Sequence, residues 1–251
     1  MPTPDRPDPA GPADDARVGV VIAAAGESRR MGGVDKLFTP VLGKPLLAHA
    51  VDAFQSSPHV DAIVLVMRDE LRGQGESLVG ERGWDKVIEV VSGGQRRQDS
   101  VQRGLAALGR FAWGRYAWGR YDDWVMVHDG ARPCVTQDVI ARGLEAARET
   151  GGAIAAVPAK DTIKAVDRDR LVTDTPPREH LWQVQTPQVF RYDIIQAAYA
   201  AGGNDATDDA SLVERAGHRV KVFMGAYENI KVTTPEDLPL AELFLRRRAK
   251  E

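Results

Sequence analysis

Three short segments of this 251-residue chain bring together residue types that can hold phosphate groups and the groups next to them. The first runs Ala23-Ala24-Ala25-Gly26-Glu27-Ser28-Arg29-Arg30-Met31-Gly32-Gly33-Val34-Asp35-Lys36. Small residues at 23–26 let backbone N–H groups approach phosphate oxygens closely, and Arg30 and Lys36 supply the opposing positive charge. The segment matches neither the dinucleotide fingerprint GxGxxG nor the loop GxxxxGK[ST], so an NAD enzyme or a P-loop ATPase is disfavoured. Small residues after a strand also make a plain tight turn. What points to a polyphosphate is AAAG, RRM and DK falling within fourteen residues.

The second segment, Ser92-Gly93-Gly94-Gln95-Arg96-Arg97-Gln98-Asp99-Ser100-Val101, offers backbone groups at 93–95 and the Ser100 hydroxyl, which could read the edge of a base. It reads equally as a glycine turn with Asp99 or Ser100 capping a helix, and one cap can do both. The third, His128-Asp129-Gly130-Ala131-Arg132-Pro133, places an acid at the end of an apolar run. Asp129 beside a triphosphate would be a Mg²⁺ ligand, or it could cap a turn or pair with Arg132. His128 reads as structural, and Cys134 as a small core residue.

These segments need a scaffold that brings them to one edge. Apolar runs at Val18 to Ala25, Ala62 to Met67, Val87 to Val91, Trp124 to Val127 and Ala153 to Val157 read as buried strands. Helical patterns lie between them, after Pro45 and after Thr136, and this alternation predicts an α/β fold with a parallel sheet covered on both faces. In such a sheet the loops after the strands form the ligand-binding edge. The last helix is predicted to start with Thr234 as N-cap and Pro235 at its first position, and to end in the basic run Arg246 to Arg248.

Three stretches stand apart. Residues 1–17, with five prolines and four aspartates, read as a disordered tail before one domain over 18–251. Within about residues 110–122, AWGRY at Ala112 to Tyr116 is repeated at once at Ala117 to Tyr121, which reads as a loop insertion. Residues 159–184 mix Asp161, Lys164, Asp167, Arg168 and Asp174 with few apolar residues, and read as a protruding arm or hairpin.

A formal charge of −3 offers no global field for nucleic acid or an anionic membrane. The chain has neither a signal-peptide core nor a run of about 20 apolar residues, and its single cysteine allows no internal disulfide framework. A soluble cytoplasmic protein is expected.

Taken in order, AAAGESRRMGGVDK, SGGQRRQDSV, HDGARP, DTIK, WQVQTPQVF, TDDASLVE and ENIKVTTPEDL resemble the bacterial 2-C-methyl-D-erythritol 4-phosphate cytidylyltransferases of the non-mevalonate isoprenoid pathway, over residues 18–245. The resemblance implies a Rossmann-like, mostly parallel sheet flanked by helices, with a protruding β-arm for dimerisation. It implies Mg²⁺-dependent transfer of CMP from CTP to methylerythritol phosphate in a homodimer. Arg30 and Lys36 would be catalytic, and Ala24, Ala25, Gly26, Gly94, Gln95, Ser100 and Gly130 would bind the nucleotide. Asp129 would lie beside the metal. Thr162, Arg178, Thr186, Thr207, Glu228 and Lys231 would bind the acceptor, the arm residues reaching into the neighbouring subunit. This chain departs from the pattern at Ser28, Gln95 and Glu228, and Gln95 loses a negative charge. Rival readings are a ribitol-5-phosphate cytidylyltransferase, a molybdopterin-type guanylyltransferase, and a nucleotide-binding module without turnover.

Overall fold

Runs such as VGVVIAA and AIVLVM offer apolar side chains to both faces of a strand, so they must be covered on both sides. The computed structural model describes residues 16–26, 36–113, 116–117, 123–202 and 206–249. In chain order the elements begin β1 (Val18–Ala24), β2 (Pro40–Val41), β3 (Lys44–Pro45), α1 (Leu46–Gln55), β4 (Ala62–Met67), α2 (Arg72–Arg82) and β5 (Val87–Ser92). There follow α3 (Arg97–Arg110), β6 (Ala112–Trp113), β7 (Tyr116–Ala117), β8 (Trp124–Asp129), α4 (Gln137–Thr150) and β9 (Gly152–Pro158). The chain continues with β10 (Ala165–Val166), β11 (Val172–Asp174), β12 (Trp182–Arg191), α5 (Tyr192–Ala200), α6 (Asp209–Arg215), β13 (Lys221–Met224) and α7 (Asp237–Arg248).

Seven strands form one sheet in the order β13-β9-β12-β8-β1-β4-β5. Pairing is parallel except at β12, which runs antiparallel to both β8 and β9. Alternate residues feed two apolar layers, as the two-residue period of a strand requires. Val20, Ile22, Ile63, Leu65 and Met126 pack with α1 and α4 on one face. Val21, Val64, Val66, Val125 and Val127 pack with α3, α5 and α6 on the other. A third, smaller cluster seats α7 on Val41, Leu46, Cys134 and Val232.

The parallel strands follow the sequence expectation, with β8 extended to Asp129. Two strands do not. The motif WQVQTPQVF lies in β12, although Pro187 argues against a central strand. Pro187 is tolerated because the register against β9 breaks between Val184 and Gln188, so no ladder bond is asked of it. The Thr186–Pro187 peptide is cis. The short β13 was also not expected from the sequence.

Thr136 caps α4 by accepting from the Val139 N–H at 3.3 Å, as its position suggested. The start of α7 is a correction. Asp237 accepts from the backbone N–H groups of Thr233 (2.7 Å) and Thr234 (2.9 Å), which holds both in a turn, and the helix begins at Asp237 rather than Pro235.

Residues 160–175 are exposed throughout and contain the β10–β11 hairpin, with Ala165 opposite Asp174. Leu171 and Val172 are 66% and 59% exposed there. Within the expected insertion β6 and β7 pair antiparallel, with Ala112 opposite Ala117 and Trp113 opposite Tyr116, while residues 114–115 and 118–122 lie outside the described residues. The expected tail, up to residue 15, lies outside the described residues.

Candidate active site

From β1 the chain proceeds to β4 and β5 on one side of the sheet, and β8 lies on the other. The crevice at the carboxyl ends of β1 and β8 is therefore a topological switch point, where α/β sheets bind ligands. A cavity of about 500 Å³ opens there. Its walls come from Ala23 to Gly26 at the end of β1 and just after it, Arg68 to Glu70 after β4, Gly93 to Arg96 after β5 with Arg97 at the start of α3, Asp129 at the end of β8, and Lys36 and Lys231.

The loop after β5 must lie against the loop after β1. A Cβ on Gly93 would stand 2.3 Å from Ala25 Cβ and 2.8 Å from Ser100 Oγ, so only glycine fits. Ser100 Oγ accepts from the Gly94 N–H at 3.1 Å, while Asp99 Oδ2 accepts from the Arg96 N–H at 3.2 Å at the start of α3. Ser100 therefore braces the loop while lining the cavity, and Gln95 is exposed at its rim. Gly130 does not line the cavity. Its N–H donates to the Ala23 carbonyl at 2.9 Å, and a Cβ would meet Leu47 Cδ1 at 2.9 Å, so its role is to join β8 closely to β1.

Asp129 is the electrostatic centre. Its Oδ2 lies 2.9 Å from Lys231 Nζ and 3.4 Å from Arg132 Nε, and its Oδ1 3.4 Å from Arg97 Nε. Burial alone would raise its pKa, but Lys231, Arg97 and Arg132 together hold the carboxyl well below the usual range. The acid is ionised at any working pH. The pairing with Arg132 expected from the sequence is present, and Asp129 also faces the cavity.

Behind Asp129 lies a buried chain of hydrogen bonds. His128 Nε2 is 3.1 Å from the Arg132 carbonyl, which can only accept, so Nε2 carries the proton and Nδ1 is an acceptor. Thr186 Oγ1, 3.0 Å away, donates to Nδ1 and accepts from the Asp129 N–H at 3.1 Å. His128 is fully buried, packs edge-on to Phe54 at 4.9 Å, and has its pKa lowered to about 4 by desolvation. This corrects the expectation for Thr186. Its hydroxyl is buried, with its proton given to His128 Nδ1 and one lone pair to the Asp129 N–H, so in this chain it holds the backbone of Asp129 and does not line the cavity.

Of the other expected residues, Ala24, Ala25, Gly26, Gly94 and Lys36 line the cavity, and Lys36 Nζ donates to the Val232 carbonyl at 2.9 Å. Arg30 and Ser28 fall outside the described residues. Thr162 and Arg178 stand on the exposed arm, away from the cavity walls, and Arg178 Nη1 donates to the Lys160 carbonyl at 2.6 Å. Arg178 and Trp182 line a separate hollow with Lys160. Thr207 and Glu228 are exposed and also lie outside the cavity walls. The structure thus unites Lys231 with the nucleotide-side residues but leaves the arm residues apart within one chain.

Residues missed by sequence reading are Arg97, one of the three cations around Asp129, and the acid that holds it. Asp208 caps α6 through the Ser211 N–H at 3.0 Å, and Asp209 is buried against Arg97 at 2.8 Å. The adjacent acids in TDDAS were a signal, because a buried second aspartate requires a partner. Among the described residues, no group of three or more His, Cys, Asp or Glu could cage a metal. A single ionised carboxylate facing a phosphate-sized cavity fits Mg²⁺ that takes its remaining ligands from phosphate and water.

A family model for 2-C-methyl-D-erythritol 4-phosphate cytidylyltransferase matches residues 18–247. The chain belongs to this family. A relative of that name from Dehalococcoides mccartyi is 52% identical over 231 residues, covering 92% of this chain and 97% of the relative. Another, from Geotalea uraniireducens, is 47% identical over 92% of this chain and 97% of its own length. Among solved structures, the 4-diphosphocytidyl-2C-methyl-D-erythritol synthase of Anaerococcus prevotii matches with a TM-score of 0.78 at 31% identity, over 93% of this chain and 98% of that one. The Thermus thermophilus 2-C-methyl-D-erythritol 4-phosphate cytidylyltransferase matches with a TM-score of 0.70 at 33% identity, over 92% and 99%. This chain is accordingly a nucleotidyltransferase of isoprenoid biosynthesis with the α/β fold of these cytidylyltransferases. Among the described residues, no helix of this cytidylyltransferase is long and apolar enough to cross a membrane.

Proposed function

We propose that this cytidylyltransferase transfers CMP from CTP to 2-C-methyl-D-erythritol 4-phosphate. An acceptor phosphate oxygen forms a bond to the α-phosphorus of CTP, the bond to the β-phosphate oxygen breaks, and diphosphate leaves. The observation that carries this reading is Asp129 standing between the nucleotide-side loops and Lys231 in one cavity of a family member. Two anions must meet there, and their repulsion is the main obstacle to an in-line attack.

Lys36 and Arg30 oppose the charge that builds on the α-phosphate and leaving diphosphate, while Lys231 draws the acceptor phosphate to the other side of Asp129. Small residues 24–26 supply close backbone N–H donors, and Gly94, Gln95 and Ser100 face the cytosine and ribose. Asp129 would hold Mg²⁺, which would supply charge neutralisation of the triphosphate when bound. The exposed arm, with Leu171 and Val172 in solvent, suits a homodimer in which Thr162 and Arg178 reach the neighbouring subunit's acceptor.

The test offers purified protein CTP, ATP, GTP or UTP with methylerythritol phosphate or ribitol phosphate and follows diphosphate release. Turnover is expected with CTP and methylerythritol phosphate. Turnover confined to GTP or to ribitol phosphate would overturn the reading.

A further inference from the structure

Arg97 is the first residue of α3 and lines the main cavity, with 29% of its side chain exposed. Two of its three guanidinium nitrogens are held from the protein side. Nη2 donates to Asp209 Oδ2 at 2.8 Å, and Nε lies 3.4 Å from Asp129 Oδ1. Asp209 is itself fixed, being fully buried and accepting from the Tyr199 hydroxyl at 2.6 Å through its other oxygen. The third nitrogen, Nη1, bonds to no protein atom among the described residues.

A guanidinium held this way has already lost the rotamer freedom that binding would otherwise cost. The charges around it are also unbalanced. Arg97, Arg132 and Lys231 face Asp129 and Asp209, three cations against two carboxylates, so the cluster favours one more anion. Arg97 sits between the loop that braces Ser100 and the carboxylate of Asp129. It is therefore on the wall between the nucleoside side of the cavity and the side where the phosphates meet Asp129.

We infer that Arg97 is a further substrate-binding residue whose Nη1 donates to an oxygen of the nucleotide's α-phosphate, with Asp209 and Tyr199 as the residues that aim it. The inference rests on the cytidine-nucleotide reading above. It gives the buried Asp209 a function distinct from that of the neighbouring helix cap, Asp208.

The experiment measures binding of CTP, CMP and cytidine by calorimetry, with EDTA present, to the full chain and to the double variant Arg97→Gln with Asp209→Asn. The paired carboxamides keep hydrogen bonds inside the buried pair while removing both charges, so no uncompensated carboxylate remains. Loss of one charge-assisted bond should weaken CTP and CMP alike by about 10- to 100-fold and leave cytidine unchanged. Arg97→Lys, which keeps the charge but cannot reach both carboxylates, should weaken CMP less and serves should the double variant fail to fold. CMP bound as tightly by the variants as by the natural protein overturns the assignment. So does a loss confined to CTP, which would place Arg97 at the outer phosphates, or an equal loss for cytidine. A natural protein that binds none of the three ligands refutes the cytidine-nucleotide reading itself.

Discussion

Lys36 and Lys231 place ammonium groups on the walls of a cavity whose acid, Asp129, is already ionised, so the site can receive two anionic substrates without first losing a proton. Replacing Lys36 with alanine should lower kcat by about 100- to 1,000-fold in a diphosphate-release assay, with a smaller change in CTP affinity. A near-normal kcat would remove Lys36 from the chemistry. Thr186→Val leaves the Asp129 N–H and His128 Nδ1 buried without partners, which should cost about 1–3 kcal/mol in chemical denaturation and lower kcat. Thr186→Ser should restore both. A large rise in acceptor KM at unchanged stability would instead put the hydroxyl on the substrate. His128 adds a pH dependence. Its folded pKa of about 4 lies below its ordinary value of 6.5, so as pH falls between these values the unfolded chain takes up the proton first. This contribution, on the order of 3 kcal/mol, is present above pH 6.5 and lost as pH drops towards 4. Urea midpoints that stay constant from pH 7 to pH 4.5 would contradict it.

At the scale of elements, the site depends on loops brought closer than a side chain allows. Gly93→Ala would drive a methyl into Ala25 and force the loop after β5 away from the loop after β1. A loss of about 1–3 kcal/mol in thermal or urea unfolding is expected, together with weaker CTP binding by calorimetry. A variant as stable and as tight as the natural protein would show that the loops can part freely. The strands that position these loops were legible because β1, β4 and β8 are buried on both faces and read as continuous apolar runs. β12 was hidden because Gln185, Thr186 and Gln188 spend their polar groups on tertiary partners that no local pattern reveals. Gln185 Nε2 reaches the Ala226 carbonyl, and Gln188 bonds both Asp208 and the Ala210 N–H. β13, four residues at a half-exposed edge, carries little periodicity. The loops of the site could be read from composition, whereas the pairing of Arg97 with Asp209, 112 positions away, required the fold.

At the scale of the whole molecule, the residues expected at the acceptor fall into two places, Lys231 in the cavity and Thr162 and Arg178 on an exposed arm. In the homodimer proposed above, a second subunit would reconcile them. Changing Leu171 and Val172 to aspartate should yield monomers by light scattering and raise acceptor KM while CTP affinity is kept. Dimers with unchanged kinetics would show that these side chains are not the contact. The strand that leads from the arm into the sheet also governs how the protein is made. β12 separates β8 from β9, so until the ribosome has delivered residues 182–191 the four strands β8-β1-β4-β5 keep an open edge of unpaired N–H and C=O groups and β9 has no neighbour in the sheet. Synthesis of this enzyme thus passes through a stage vulnerable to sticking to other nascent chains, which ends only when its last long strand covers the open edge of β8 and ties the waiting β9 to it.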